Sequence, residues 1–411
     1  MLARIVIPLL LVAAPALAQG DSTLTLMDVE SAVLARSPAL LAATNTAIAA
    51  RARAEGAGAW SDPELSFTVA PGSGDYRVGV RQRIGAFGEP GARALEAGAR
   101  FDVEAANAEM TKLDLLREAR VAFAEYRRTS RARIAHRAMV DLANELRRVA
   151  LARYAAGSVE QQDPLSAGVE AARLAHHSVL LESEQRIARA RLNSLLGRPA
   201  SAALPPPSDE TATPGMASAD LDSLVRLARA ERPESQAAIS QVAARAAGQR
   251  VAQLSGRPGL MVGFAYDRMW EDPAMRAQVE VGVTLPLWGG AGARREEAEA
   301  ELAAAQAEQR ALTLRIEREV VEATTRYDEA AHDLEVLDTG VIPAASQGVT
   351  ALRASYEANR ASFLALLEAT RTLADARLDR IDAEARLATA QADLARALGD
   401  DGGVVPMGDM R

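Results

Sequence analysis

Tyr154-Ala155-Ala156-Gly157-Ser158-Val159-Glu160-Gln161-Gln162-Asp163-Pro164-Leu165 is the one interruption in more than a hundred residues of helical sequence. It has an echo 202 positions later, Tyr356-Glu357-Ala358-Asn359-Arg360-Ala361-Ser362-Phe363-Leu364-Ala365-Leu366-Leu367. Tyr154 pairs with Tyr356, Leu165 with Leu367 and Ala167 with Ala369. The register holds without a gap through Glu182/Glu384 and Leu192/Leu394 to Gly197/Gly399. A turn between two long helices is used twice.

Working outward, nothing stops a helix between Pro90 and Ala156: there is no proline, and Gly98 follows Gly91 as the one interior glycine. At 1.5 Å per residue such a helix is on the order of 100 Å long. It needs a partner along its length, and the turn at 157–164 supplies one as the chain runs back over 165–197. Before the helix the period changes. Leu65, Phe67 and Val69 alternate with Glu64, Ser66 and Thr68, and after the turn at 72–75 Tyr76, Val78, Val80 and Ile84 share a face opposite Arg77, Gly79, Arg81 and Arg83. That is a β-hairpin over 64–84 with one apolar and one polar face.

The whole plan then repeats. Pro233 and Pro258 answer Pro38 and Pro63, and Trp288-Gly289 with Gly292-Ala293-Arg294 answers Phe87-Gly88 with Gly91-Ala92-Arg93. The mature chain reads as a tandem duplication. The first repeat is 19–198: a helix, hairpin 64–84, long helix 90–156, tip 157–164 and return helix 165–197. A Pro- and Ser-rich linker spans 199–218. The second repeat is 219–399: hairpin 259–286, long helix 293–358, tip 359–362 and return helix 363–398. A tail covers 400–411.

Composition agrees. The chain is 49% apolar but 4% aromatic, with Ala and Leu carrying the apolar share, as close-packed long helices require. The net charge of −8 and the lack of a basic block give nucleic-acid binding no support. There is no cysteine, which excludes disulfides, thiol catalysis and N-terminal Cys lipidation. Residues 1–18 read as a cleaved signal peptide: Arg4, the apolar run Ile5 to Leu11, and the small-x-small site Ala16-Leu17-Ala18. No later run of about 18 apolar residues follows.

The strands admit two readings. In a soluble protein they are two isolated hairpins, each marginal alone, lying on helices. In an outer membrane they are barrel strands, apolar outside and polar inside. Four strands cannot close a barrel, and an open edge in lipid is forbidden; a trimer would supply twelve. The small residues recurring on more than one helix face suit a closed helical tube, and a soluble antiparallel coiled coil fits the period equally.

At these residues the chain resembles the TolC-like outer membrane efflux proteins, over essentially the whole mature length. The two-fold repeat carries the resemblance, with Pro63-Glu64-Leu65-Ser66-Phe67, the Trp288-Gly289 hairpin exit, the Tyr154-x-x-Gly157 tip with Asp163 and Leu165, and Tyr356 with Leu367-Glu368-Ala369-Thr370. The resemblance implies a homotrimer: a twelve-stranded outer-membrane β-barrel continued by a twelve-helix periplasmic α-barrel. It would be the exit duct of a tripartite pump, joined to a periplasmic adaptor (membrane fusion) protein and an inner-membrane transporter of RND type, with no catalysis and no cofactor. With no cysteine for a lipid anchor, insertion would rest on the barrel alone. Gly157, Ser158, Val159, Asn359 and Arg360 would dock the adaptor. Asp163 and Glu368 would sit at the constriction, and Arg77, Arg81 and Arg83 in the barrel lumen. Asn359 departs from the glycine common there, and Ala365 stands where a further acid is common. Short loops and Gly-rich hairpin exits resemble the heavy-metal (cobalt-zinc-cadmium or copper) branch more than the multidrug branch.

Each site residue also has a plainer role open to it. Asp163 suits a helix N-cap before Pro164, Glu368 a solvated helix face, and the arginines structural pairing with Glu64 or Glu280. His136, His176, His177 and His332 do not form a chelate by spacing, and no Ser-His-Asp set, phosphate loop or HExxH motif is present. The rival functions are a protein-secretion duct of the type I kind and a soluble periplasmic coiled-coil scaffold or adaptor.

Overall fold

The computed structural model describes residues 23–72, 74–157, 159–209, 220–285, 290–358 and 360–401. The signal-peptide reading, Ser158, Trp288-Gly289, Asn359 and most of the tail fall outside them. The first repeat begins with α1 (Leu26–Arg36), started by Thr25, whose hydroxyl accepts the Asp28 N–H while Asp28 accepts the Thr25 N–H. Ser37 caps α2 (Pro38–Ala57), with Pro38 in its first turn, where a missing N–H costs nothing. Strands β1 (Glu64–Val69) and β2 (Tyr76–Ile84) follow. Helix α3 (Glu89–Ala155) is 67 residues long, and α4 (Gln162–Leu195) returns along it.

The second repeat has α5 (Leu221–Glu231), α6 (Pro233–Ser255), β3 (Gly259–Asp267) and β4 (Ala277–Thr284). Then come α7 (Gly290–Val336), a π turn (Leu337–Val341), α8 (Ile342–Glu357) and α9 (Phe363–Leu398). Where the sequence suggested one uninterrupted helix over 293–358, the π turn divides it. Pro343 is the reason: it has no N–H to give the Thr339 carbonyl, and the ladder adjusts with a bond from the Ile342 N–H to Leu337 O.

The two hairpins are not isolated. They join as one antiparallel sheet in the order β1-β2-β3-β4, with β2 and β3 paired from Arg77↔Asp267 to Ile84↔Leu260. Beneath it α2 packs on α3, α3 on α6 and α6 on α7; further from the sheet α4 packs on α3, α3 on α9, and α9 on α7 and α8. The chain is therefore a sheet continued by a layer of long helices.

Duplication extends into the packing. One core holds Val29, Val33, Ala119, Ala122, Phe123, Tyr126 and Leu192; its counterpart holds Leu224, Val225, Val320, Ala323, Tyr327 and Leu394. Ala119, Ala122 and Tyr126 map onto Val320, Ala323 and Tyr327 at one constant offset, so the same helix face is buried twice. The stretch read as an irregular linker is held in place over 199–209. Leu24 bridges to Pro207, the Tyr126 hydroxyl donates to Pro205 O at 3.0 Å, and the fully buried Asn193 amide donates to Ala200 O and Ala202 O.

Gly197 (φ +65°) and Gly399 (φ +82°) end the return helices in the left-handed conformation. A Cβ on Gly399 would lie 3.1 Å from the Arg232 backbone, whereas one on Gly197 would meet nothing nearer than 3.9 Å. Gly399→Ala is expected to cost roughly 1–3 kcal/mol of backbone strain and crowding. Gly197→Ala should cost the smaller share, since only the strain applies. Paired thermal melts check this; equal losses would refute the contact argument.

Candidate functional site

Two regions carry the sequence-predicted residues: the tips, at the far end of the helices, and the sheet. At the first tip the Ala156 N–H donates to Ala152 O and the Gly157 N–H to Tyr154 O, with Gly157 at φ +67°. Only a residue without a Cβ adopts that turn freely. Val159 is half-buried. Helix α4 begins at Gln162, so Asp163 is not the N-cap; it lies within the first turn, where a carboxylate meets the positive end of the helix. Partial burial, and next the charge of Glu160, push its carboxyl above the usual range, with Arg153 opposing.

At the second tip the Arg360 and Ala361 N–H groups both donate to Ser355 O, and the Ser362 hydroxyl caps α9 by accepting the Ala365 N–H at 3.2 Å. The Arg360 side chain is exposed. The two tips are welded by a shared cluster of Ala150, Ala167, Tyr356, Phe363, Leu366 and Leu367, from α3, α4, α8 and α9. The Arg153 guanidinium lies 4.4 Å from the centre of the Tyr356 ring, a cation–π contact between repeats. Tyr154 and Tyr356 therefore part company: the first is 45% exposed and the second 6%.

Glu368 is 68% exposed and stands 3.5 Å from the Arg371 guanidinium, so it is solvated but paired. Arg371 reaches in addition to Glu170, a buried carboxylate on α4. The sequence reading missed this bridge between repeats, because nothing in spacing tells which helices face one another. Next to it an open groove separates α4 from α9, lined by Gln161, Leu165, Val169, Leu364, Leu367 and Arg371.

The sheet has two unlike faces. Leu65, Phe67, Val69, Val80, Phe264, Tyr266, Val279, Val281 and Val283 lie on one, all between 39% and 79% exposed. The register places Leu65, Val80, Phe264 and Val279 in one row across the four strands. At the end of the sheet away from the helices, Phe67, Tyr76 and Tyr266 form a chain of rings 6.3 and 6.4 Å apart. On the other face Arg77 and Arg81 both hold Glu280, Arg81 at 3.0 Å, while Arg83 is 3.9 Å from Glu64 with both exposed. Glycines open that face: a Cβ on Gly263 would lie 3.1 Å from Arg81 Cγ, and one on Gly79 3.0 Å from Ser66 Oγ. So many adjoining apolar side chains on a surface face mark a contact with something apolar.

Among the described residues no helix is long and apolar enough to cross a membrane, and no three His, Asp or Glu side chains come together to hold a metal ion. His136 instead packs its ring 4.9 Å from that of His177, with Nε2 at 2.8 Å from Leu174 O.

Residues 224–400 match the family model described as outer membrane efflux protein. No curated protein sequence matches. Solved structures share the fold along nearly the whole chain. The outer-membrane channel OprN is 22% identical over 91% of this chain and 89% of its own, with a TM-score of 0.78. The outer membrane protein VceC of Vibrio cholerae is 18% identical over 91% and 96%, at 0.77. The open-state MtrE outer membrane channel of Neisseria gonorrhoeae is 17% identical over 92% and 89%, at 0.73.

Proposed function

We propose that this chain belongs to the outer membrane efflux proteins along its whole length and forms the exit duct of a tripartite pump. The observation that carries the reading is the sheet: one continuous apolar face left open to the surroundings, a charged face opposite, and strands that run directly into helices on the order of 100 Å long. Among the described residues the four strands leave β1 and β4 as bare edges, which lipid does not tolerate. Three chains would close twelve strands into a barrel, with the apolar face towards lipid and Arg77, Arg81 and Arg83 towards the lumen. The helices would continue it through the periplasm to the tips.

At those tips Gly157, Ser158, Val159, Asn359 and Arg360 would meet the periplasmic adaptor. Asp163 and Glu368, three copies each, would line the narrow end, where a carboxylate ring favours cations. An RND-type inner-membrane transporter would supply the energy, with heavy-metal ions or drugs as cargo. The duct would work by position and charge alone.

The test is fractionation with conductance. Heat-modifiable trimers in the outer-membrane fraction, passing current in planar bilayers, are expected; a soluble periplasmic monomer would end the reading. The tips are tested apart from insertion. Arg360→Glu and Gly157→Pro should each weaken adaptor binding about tenfold, near 1.4 kcal/mol, leaving the trimer in the membrane. Unchanged binding in both would remove the docking assignment.

A further inference from the structure

We propose that the helices near the tips hold a binding site for a small neutral aromatic molecule carrying one hydrogen-bond acceptor. The site is a cavity of about 200 Å³ bounded by α3, α4, α8 and α9. It begins where the open groove between α4 and α9 ends: on α4 the groove is lined up to Val169, and the cavity from Glu170. Its walls are apolar, with Met139, Leu142 and Leu146 from α3, Leu174 from α4, Val349 from α8 and Leu373 from α9. Alanines leave the room. Helix α3 presents Ala135 and Ala138, and α9 presents Ala374, where longer side chains would close the gap. An apolar protein cavity of about 150 Å³ admits benzene, so one substituted ring fits here. Ala138, Leu142, Asp375 and Arg377 are exposed along the edge between α3 and α9, which gives a way in.

One polar feature of the wall decides the chemistry. Glu170 is 5% exposed and takes one terminal nitrogen of the Arg371 guanidinium, and Glu368 stands 3.5 Å from the other. The remaining donor, the Arg371 Nε–H, is shut off from solvent and meets no acceptor among the described residues. The Thr370 hydroxyl beside it is committed to Leu366 O at 2.8 Å. A buried donor without an acceptor costs free energy until one is supplied. Water is held poorly there, since it needs roughly two to four polar partners and the apolar walls offer few. A carbonyl oxygen on an apolar ring satisfies the donor and lets the ring fill the rest. Charge argues for a neutral molecule. An anion would meet Glu170 and Glu368, and a cation would meet the guanidinium and lose its hydration among apolar side chains.

The site also spans the duplication. Two of its helices come from the first repeat and two from the second, and the Glu170–Arg371 bridge at its tip-side end is itself a contact between repeats. A molecule bound here touches both halves and holds them together. The cavity lies between helices of one chain, so the site does not depend on the duct reading.

The test is a titration of the full-length protein in detergent with three fluorinated probes, followed by fluorine NMR: para-fluoroacetophenone, fluorobenzene and para-fluorobenzoate. The ketone is expected to bind saturably and about fivefold tighter than fluorobenzene, the difference of one hydrogen bond. The carboxylate should bind weakest of the three. Ala374→Leu and, separately, Ala135→Leu should abolish saturable binding. They fill the cavity from different helices, so a variant that fails to fold leaves the other to decide. Arg371→Lys keeps the charge and loses the Nε–H; it should bring the ketone down to the affinity of fluorobenzene and leave fluorobenzene unchanged. Partition into the micelle does not saturate and is the same in every variant. The melting temperature of the wild type should rise with the ketone, and that of Ala374→Leu should not. Probes that never saturate, or that bind the filled variants as tightly as the wild type, overturn the site. Equal affinity for ketone and fluorobenzene in the wild type, or tightest binding of the carboxylate, overturns the ligand class.

Discussion

Val281→Arg is expected to remove the chain from the outer-membrane fraction. Val281 sits in the middle of β4, opposite Val262, 67% exposed with Val279 and Val283 on either side of it on the same face. At the midplane of a bilayer an outward arginine on a barrel strand costs about 2–4 kcal/mol. A trimer carries it three times, roughly 6–12 kcal/mol in all, comparable to the whole stability of a typical domain. On a soluble surface the same change is worth about 0.5 kcal/mol or less. The two readings of the strands therefore predict opposite results from one substitution. Gln278→Arg is the control: it lies on the same strand, on the charged face beside Ala265, and should insert normally. If Val281→Arg inserts as well as Gln278→Arg, the apolar face does not meet lipid.

What the sequence made legible follows from the range of the signals. Strand period, the Gly157 turn and the Pro38 and Pro233 breaks are local chemistry, and each is read from a few residues. The pairing of β2 with β3 is not: Val80 and Phe264 share a row although more than 180 residues separate them. The two hairpins look alike and separate until the packing of α3 on α6 brings them together. Pro343 was visible in the sequence, and its missing donor requires some break in the ladder, but helical periodicity on both sides hid it. Asp163 fitted an N-cap by type, and fails as one because α4 starts at Gln162. The Glu170–Arg371 bridge and the Arg153–Tyr356 stack depend on which faces of distant helices meet, and no spacing rule reports that.

Acid should draw stability from the fold through the joint between α5 and α6. Glu234 opens α6 and is held by two arginines, Arg232 buried and Arg396 partly buried. Arg232 donates to both its oxygens at 3.1 and 3.3 Å, and Arg396 of α9 donates at 2.6 Å. Arg232 also reaches Glu319 of α7, and Arg396 reaches Asp114 of α3, so the joint ties four helices. Burial by itself would raise the Glu234 carboxyl, but the hydrogen bonds and charges of Arg232 and Arg396 outweigh it and hold the group down at about 2, against 4.5 when free. A carboxyl lowered on folding contributes stability above its unfolded value and loses it as pH falls towards the folded one. The shift corresponds to about 3 kcal/mol, present in full above about pH 5 and lost on the way down from 4.5 to about 2. Glu234→Gln removes the titration and leaves Arg232, 6% exposed, short of a counter-charge. At neutral pH the variant should melt lower, by an amount on the order of 3 kcal/mol. Between pH 5 and 2 its melting temperature should fall less steeply than that of the wild type, since the carboxyl that carried the slope is gone. Parallel slopes for the two proteins would mean that acid acts elsewhere and that this joint is not where the fold is held.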